Sequence, residues 1–209
     1  MRVILLGAPA SGKGTQAALM SERFGVPKIS TGDMLRAALS AGTPLGKEAA
    51  QYMNNGKLVP DSVVIGLVEE RLREPDAKRG FILDGFPRTV PQADALAALL
   101  ERLGTPLDGV LQIDVPRDLL MERATLRRTD KRTGQIYHLK YSPPPPGADL
   151  EHRVDDQGET VGRRLDEYDA MTAALLPHYE QHGILKRVDG VGTPAEVTAR
   201  IFAALEQAA

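Results

Sequence analysis

The string Gly7-Ala8-Pro9-Ala10-Ser11-Gly12-Lys13-Gly14-Thr15 joins backbone freedom, one ammonium and a hydroxyl in a short segment. It follows the apolar run at residues 3–6 directly and leads into a helical pattern over 16–24. Strand, glycine-rich turn and helix start, in that order, make a phosphate-binding loop. The glycines let backbone N–H groups turn inward, and the helix N-terminus adds its positive end. Lys13 supplies a point charge for outer phosphates. The strict Walker A pattern has Ser or Thr directly after the lysine, whereas here Gly14 intervenes before Thr15. A glycine-rich surface turn with a solvated lysine is the plainer alternative, and it leaves the spacing and the threonine unexplained.

Two further strings carry groups of similar use. Asp84-Gly85-Phe86-Pro87-Arg88-Thr89 begins where the apolar run 81–83 ends, at the edge where ligands bind in open α/β sheets. A carboxylate there can hold magnesium through water, or serve only as a strand-end cap. The Phe86-Pro87 pair fixes the direction of Arg88, which suits a bidentate grip on phosphate. Ser30-Thr31-Gly32-Asp33-Met34-Leu35-Arg36 sets a second arginine after a hydroxyl pair. Arg123, Arg127, Arg128, Lys131 and Arg132 form a basic run, and Arg153, Arg163 and Arg164 follow. The spacing puts Arg123 and Arg127 at i and i+4 on one helix starting near Pro116, where they repel unless a polyanion lies over them. Taken singly, each arginine also reads as a solvated surface residue, and the run as a basic face balanced by Glu122, Asp130, Asp155 and Asp156. With only Tyr137 and Tyr141 interleaved, an RNA-stacking platform is poorly supported.

Parallel strands buried on both faces must position these groups. Residues 3–6 and 81–83 are apolar runs of strand length, and 110–115 and 184–188 are β-rich segments of that length with polar residues interspersed. Leu96, Leu99, Leu100 and Leu103 share one helical face that stops at Gly104, and Val161, Leu165, Tyr168, Leu175 and Tyr179 keep another. Thr193-Pro194-Ala195-Glu196 reads as a capping box opening a last helix through Val197, Ile201 and Leu205. This alternation predicts a three-layer α/β domain. Residues 30–60 carry helical pattern without an obvious strand, and 128–156 are polar with four prolines, Pro143 to Pro146. Both read as insertions on the sheet, and the proline run as a rigid turn rather than a polyproline ligand.

The chain of 209 residues suits one large domain or one carrying insertions. Its 26 basic and 28 acidic residues leave a formal charge of −2, so no global field favours nucleic acid or anionic lipid. It has no cysteine, which removes disulfides and thiolate zinc sites and fits a reducing compartment. The run 3–6 is too short for a secretory segment, and none approaches the ~20 apolar residues of a membrane span. A cytoplasmic location is expected. His178 and His182, at i and i+4, read as helix-surface residues rather than metal ligands.

Taken together, residues 7–15, 30–36, 56–59 and 84–89 with Gln92, then Arg123, Arg127, 136–138, Arg153 with Asp155 and Asp156, and 159–161 before Arg164 resemble adenylate kinase over nearly the whole chain. The resemblance implies an α/β, three-layer P-loop kinase fold with a five-stranded parallel sheet. It implies a CORE of residues 1–29, 60–125 and 157–209, an AMP-binding insertion at 30–59 and a mobile lid at 126–156. The implied reaction is a phosphotransferase step, MgATP + AMP = 2 ADP. Ala10, Ser11, Gly12, Lys13, Gly14 and Thr15 would wrap the ATP phosphates, with Arg123 and Arg127 beside them and Ile136, Tyr137 and Gly192 on the adenosine. Thr31, Arg36, Lys57, Leu58, Val59, Gly85, Phe86, Pro87, Arg88 and Gln92 would hold AMP, with Gln92 reading the adenine edge. Arg153 and Arg164 would reach the AMP and transferring phosphates on closure. Lys13, Arg88, Arg123, Arg127, Arg153 and Arg164 would be the catalytic cations, and Asp84 would order magnesium waters.

Bacterial relatives often carry four lid cysteines that bind zinc; here Asp130 and Thr133 stand at the first pair. A hydrogen-bonded turn is expected there, with no structural zinc. The expected partners are ATP, AMP and ADP, without nucleic acid, membrane or a second subunit. A UMP or CMP kinase is the near rival, against which Gln92 and Thr31 count through the resemblance. A regulatory GTPase would need Asn-Lys-x-Asp, which does not occur.

Overall fold

In the computed structural model, which describes residues 1–206, the apolar run after Met1 lies at the centre of a sheet. Val3, Ile4, Leu5 and Leu6 are all buried, as a strand covered on both faces requires. The sheet comprises β1 (Arg2–Leu6), β2 (Lys28–Ser30), β3 (Phe81–Asp84), β4 (Gly109–Asp114) and β8 (Leu185–Asp189). All neighbours are parallel, in the order β2-β3-β1-β4-β8. The expected α/β class and five-stranded parallel sheet are therefore present.

Alternation along each strand sorts side chains between two cores. Val3, Leu5, Ile82, Leu111 and Ile113 pack against α1 (Lys13–Phe24), α6 (Arg117–Thr125), α7 (Gly158–Glu167) and α9 (Pro194–Glu206). Ile4, Leu6, Leu83 and Val110 pack against α2 (Thr31–Ser40), α3 (Pro44–Met53), α4 (Asp61–Leu72), α5 (Val90–Leu103) and α8 (Leu175–Gln181). Two helical layers around one sheet give the predicted three-layer arrangement. No helix of the described residues is long and apolar enough to cross a membrane.

Several local signals act as their chemistry dictates. Thr193 and Glu196 form the capping box: Thr193 N donates to Glu196 Oε2 at 2.7 Å and Glu196 N to Thr193 Oγ1 at 3.3 Å. Gly104 ends α5 in the left-handed region at φ 63°, where Leu96, Leu99 and Leu100 are buried. Leu103, in the last turn, is 40% exposed and leaves that face.

Three expectations need correction. Lys28–Ser30 is a strand that the reading of 30–60 did not supply; three residues are too short for a period, and Ser30 both ends β2 and caps α2 by accepting from Asp33 N at 3.3 Å. The face from Val161 to Tyr179 is not one helix. A π turn at Tyr168–Thr172 separates α7 from α8, so Val161 and Leu165 serve one core while Leu175 and Tyr179 serve the other. Arg127 does not share a helix with Arg123. α6 stops at Thr125, whose hydroxyl bonds back to Met121 O at 2.9 Å, and Arg127 enters a strand ladder instead.

That strand is β5 (Arg127–Asp130), the centre of a small antiparallel sheet with β6 (Ile136–His138) and β7 (Leu150–Glu151). The hydrogen-bonded turn expected at Asp130 and Thr133 is present. Asp130 Oδ1 accepts from the backbone N–H of Arg132 and of Thr133, both at 2.9 Å, and Thr133 Oγ1 accepts from Gln135 N at 3.2 Å. The proline run leads into a turn closed by Ala148 N donating to Pro145 O at 3.3 Å.

The corner between α2 and α3 depends on a missing side chain. Thr43 caps α3 by accepting from Gly46 N at 3.1 Å, and a Cβ on Gly46 would collide with the backbone of Ala38 and Leu39. At an open helix position Gly→Ala gains up to ~1 kcal/mol. Here the sign reverses: Gly46→Ala is expected to cost about 1–3 kcal/mol by overpacking. Urea unfolding checks this, and a stabilised variant would contradict the close approach.

Candidate active site

The sheet delivers its polar groups at one edge. In register, Leu5 lies beside Asp84 and Asp84 beside Ser30, so the turns after β1, β2 and β3 leave together. A cleft of about 830 Å³ opens there. It is lined by every residue expected at the site except Phe86, whose ring is buried in the core below.

The phosphate loop keeps its shape by backbone conformation and close contact. Gly7 has φ 149°, and a Cβ on it would lie 2.7 Å from Ile113 O and from Ser11 Oγ. Ala10 takes the left-handed region at φ 65°. The Lys13 ammonium folds over the loop, donating to Gly7 O at 2.6 Å and Ala8 O at 2.8 Å. Burial lowers its pKa to about 7. Asp84 opposes that shift, while Arg88, Arg164 and Arg127 reinforce it.

On the side of α2 and β3, one carbonyl organises the contacts. Gly85 O accepts from Thr31 Oγ1 at 2.9 Å and from Arg88 Nε at 2.8 Å. The Arg88 guanidinium is pulled down to about 10, by burial first and then by Arg164. The Phe86-Pro87 peptide is cis. Arg36 pairs with Asp33, which also takes Lys28 Nζ at 3.0 Å. Although burial pushes the Asp33 carboxyl up, Lys28 and Arg36 hold it well below the usual range.

The opposite wall comes from α6, the small sheet and α7. Arg123 Nη2 donates to Gly190 O at 3.0 Å. A Cβ on Gly190 would sit 2.5 Å from Ile113 Cγ2 and Val115 Cγ2, so that carbonyl is held against β4. Arg127 forks onto the fully buried Asp156, Nε to Oδ2 at 2.7 Å and Nη2 to Oδ1 at 2.5 Å. Arg164 Nη1 reaches the same Oδ1 at 3.1 Å and Asp155 Oδ2 at 3.0 Å. Burial raises the Asp156 carboxyl, yet Arg127 and Arg164 outweigh it and keep it low. Arg153 donates through Nε to Thr129 Oγ1 at 3.0 Å, and burial followed by Arg36 and Arg127 brings it to about 10. Ile136, Tyr137 and Gly192 line the cleft near Arg123 and Arg127.

Sequence reasoning missed four residues. Lys28 bridges toward Asp33 and lies 3.9 Å from Asp84, from a strand too short to find. Asp33 stood inside a noted string without a role. His138 accepts at Nδ1 from Lys140 N and Tyr141 N, which puts its proton on Nε2, a buried atom without a partner. Asp61 binds Thr89 and Gln92. His178 and His182 lie outside the cleft, and no group of three or more His, Cys, Asp or Glu among the described residues is arranged to hold a metal.

A parallel sheet with a phosphate loop on its central strand and a cation-lined cleft at its C-terminal edge defines a P-loop nucleotide-phosphate protein. The adenylate kinase family model matches residues 5–184. The chain is 60% identical over 208 residues to an adenylate kinase of Sorangium cellulosum, covering 98% of this chain and 96% of that protein. Over 214 residues it is 52% identical to one from Thermodesulfovibrio yellowstonii and 49% identical to one from Carboxydothermus hydrogenoformans, with 99% of this chain and all of each relative covered. The chain belongs to the adenylate kinase family.

A lysine with a pKa near 7 is mostly neutral at about pH 8. Phosphate beside it favours the charged form, so polyphosphate binding there should take up close to one proton. Affinity should accordingly rise as pH falls from about 10 toward 7 and then level. Calorimetry in two buffers of different ionisation enthalpy measures the uptake, which Lys13→Met should abolish. Binding without proton uptake would contradict the depressed lysine.

Proposed function

We propose that this cleft aligns MgATP with AMP for reversible phosphoryl transfer, giving two ADP. The observation that carries the reading is the convergence on one cleft of cations from separate segments: Lys13 after β1, Arg88 after β3, Arg123 on α6, Arg127 on β5, Arg153, and Arg164 on α7. Two phosphate-bearing substrates meeting head to head need that distribution of positive charge.

In this reading Ala10, Ser11, Gly12, Lys13, Gly14 and Thr15 wrap the ATP phosphates. Arg123 and Arg127 flank them, and Ile136, Tyr137 and Gly192 receive the adenosine. AMP lies against Thr31, Arg36, Lys57, Leu58, Val59, Gly85, Phe86, Pro87, Arg88 and Gln92, with Arg88 on its phosphate. Phe86 contributes through backbone, since its side chain is core. The AMP phosphate attacks as a dianion, so no general base is required. The transition state is loose, and the cations align the reactants and compensate charge as it shifts. Lys13 leaves the carbonyls of Gly7 and Ala8 for the transferring group. Arg153 and Arg164 approach from the far wall as residues 126–156 and 30–59 close and exclude water.

Asp84 suits magnesium held through water: its carboxylate lies at the strand end, a Cβ on Gly14 would be 3.4 Å from its Oδ2, and it accepts no hydrogen bond from the protein among the described residues. Bound with ATP, magnesium supplies charge compensation at the phosphate oxygens. The turn at Asp130 does its work without zinc. The reading takes the chain as a cytoplasmic monomer whose partners are ATP, AMP and ADP, with no nucleic acid or membrane.

Lys13→Met should lower kcat by about a hundredfold or more with circular dichroism unchanged. Arg88→Ala should raise KM for AMP by roughly tenfold to a hundredfold, with little change for ATP. Arg127→Ala should act mainly on ATP. Equal, small effects on both substrates would overturn the division. A strong zinc chelator with excess magnesium should leave turnover intact.

A further inference from the structure

Gln92 is 1% exposed, lines the cleft, and has its amide oriented by groups that can act in only one sense. Its Oε1 accepts from Arg88 N at 2.8 Å, and a backbone N–H can only donate. Its Nε2 donates to Asp61 Oδ1 at 2.7 Å, and a carboxylate can only accept. A flipped amide would face donor to donor and acceptor to acceptor. Asp61 is itself fixed, because Thr89 Oγ1 donates to its Oδ2 at 2.9 Å while accepting from Gln92 N at 3.3 Å. Asp61 opens α4 and does not line the cleft, so it reaches a nucleotide only through Gln92.

We propose that Asp61 is a positioning residue that sets the base selectivity of the monophosphate site by locking the amide of Gln92 in one orientation. This rests on the reading of Gln92 as the residue facing the base. After its two protein bonds the amide keeps one Nε2 hydrogen and one Oε1 lone pair. Adenine offers an amino donor at C6 beside a ring-nitrogen acceptor on either of its polar edges, which is the complement of that pair. Hypoxanthine and guanine carry an oxygen at C6, so the locked Oε1 meets an acceptor. A free amide could rotate to suit the 6-oxo bases; an amide held at both ends cannot.

The test compares AMP with IMP as acceptors in four forms: Asp61→Ala, Asp61→Asn, Gln92→Ala and the double alanine variant, each checked for native melting. Asp61→Ala should raise KM for AMP and shrink the AMP-over-IMP preference in kcat/KM by about tenfold to a hundredfold, leaving KM for ATP within about twofold. Asp61→Asn should retain most of the preference, because its carbonyl can still accept from Gln92 while its amide faces the Thr89 hydroxyl. In the Gln92→Ala background, Asp61→Ala should add almost nothing. An unchanged preference in Asp61→Ala, no rescue by asparagine, or a full additional loss in the double variant would overturn the role of Asp61 alone. If Gln92→Ala keeps the native preference, the reading of Gln92 as the base-facing residue fails, and this inference falls with it.

Discussion

Cations gathered around one point repel each other, and most of the polar architecture answers that repulsion. Lys13, Arg88, Arg153 and Arg164 all lose charge affinity through burial and mutual proximity. Arg127 alone gains it: burial works against its charge, but the fork to Asp156 prevails. Asp156 is completely buried and accepts from two guanidiniums, so it is a fixed counter-charge rather than a surface ion pair. Asp155 compensates Arg164, Asp84 compensates Lys13 and Arg88, and Asp33 compensates Arg153. Charge held ready in this way is what phosphoryl transfer needs, since stabilisation then costs little reorganisation when the reaction occurs.

The same carboxylate ties separate elements together. Arg127 belongs to the small antiparallel sheet, Asp156 to the single turn after it, and Arg164 to a helix packed on the main sheet. A contact between Arg163 Nε and Asn55 O, at 3.2 Å, links that helix to the end of α3. The elements on either side of the cleft are thus connected through short polar bridges rather than a shared apolar core.

The central sheet was legible because burial on both faces leaves continuous apolar runs, as at residues 3–6 and 81–83. The phosphate loop was legible because its constraints are local: a strand, glycines where the backbone turns, and a helix start. Lys28–Ser30 was not, because three residues paired to β3 carry no period, and Lys28 then looked like any surface lysine. The end of α6 depends on Arg127 finding a strand partner at His138, a contact no helical pattern encodes. Asp61 lies 28 and 31 residues from the groups it binds, so only the packing of α4 on α5 brings them together. What the sequence hid was the long-range hydrogen bonding; what it displayed was the local geometry on which that bonding is built.

The turn at Asp130 gives the chain a particular kind of durability. A carboxylate accepting two backbone N–H groups does the tying there, and the chain has no thiol to oxidise. An oxidising shift does not reach such a knot. Acid does. The bonds from Thr133 hold the Asp130 carboxyl below its ordinary value, so its contribution is present above the unfolded pKa and is lost only as pH falls through the lower folded one. The turn is therefore a knot that yields to protons rather than to oxidants.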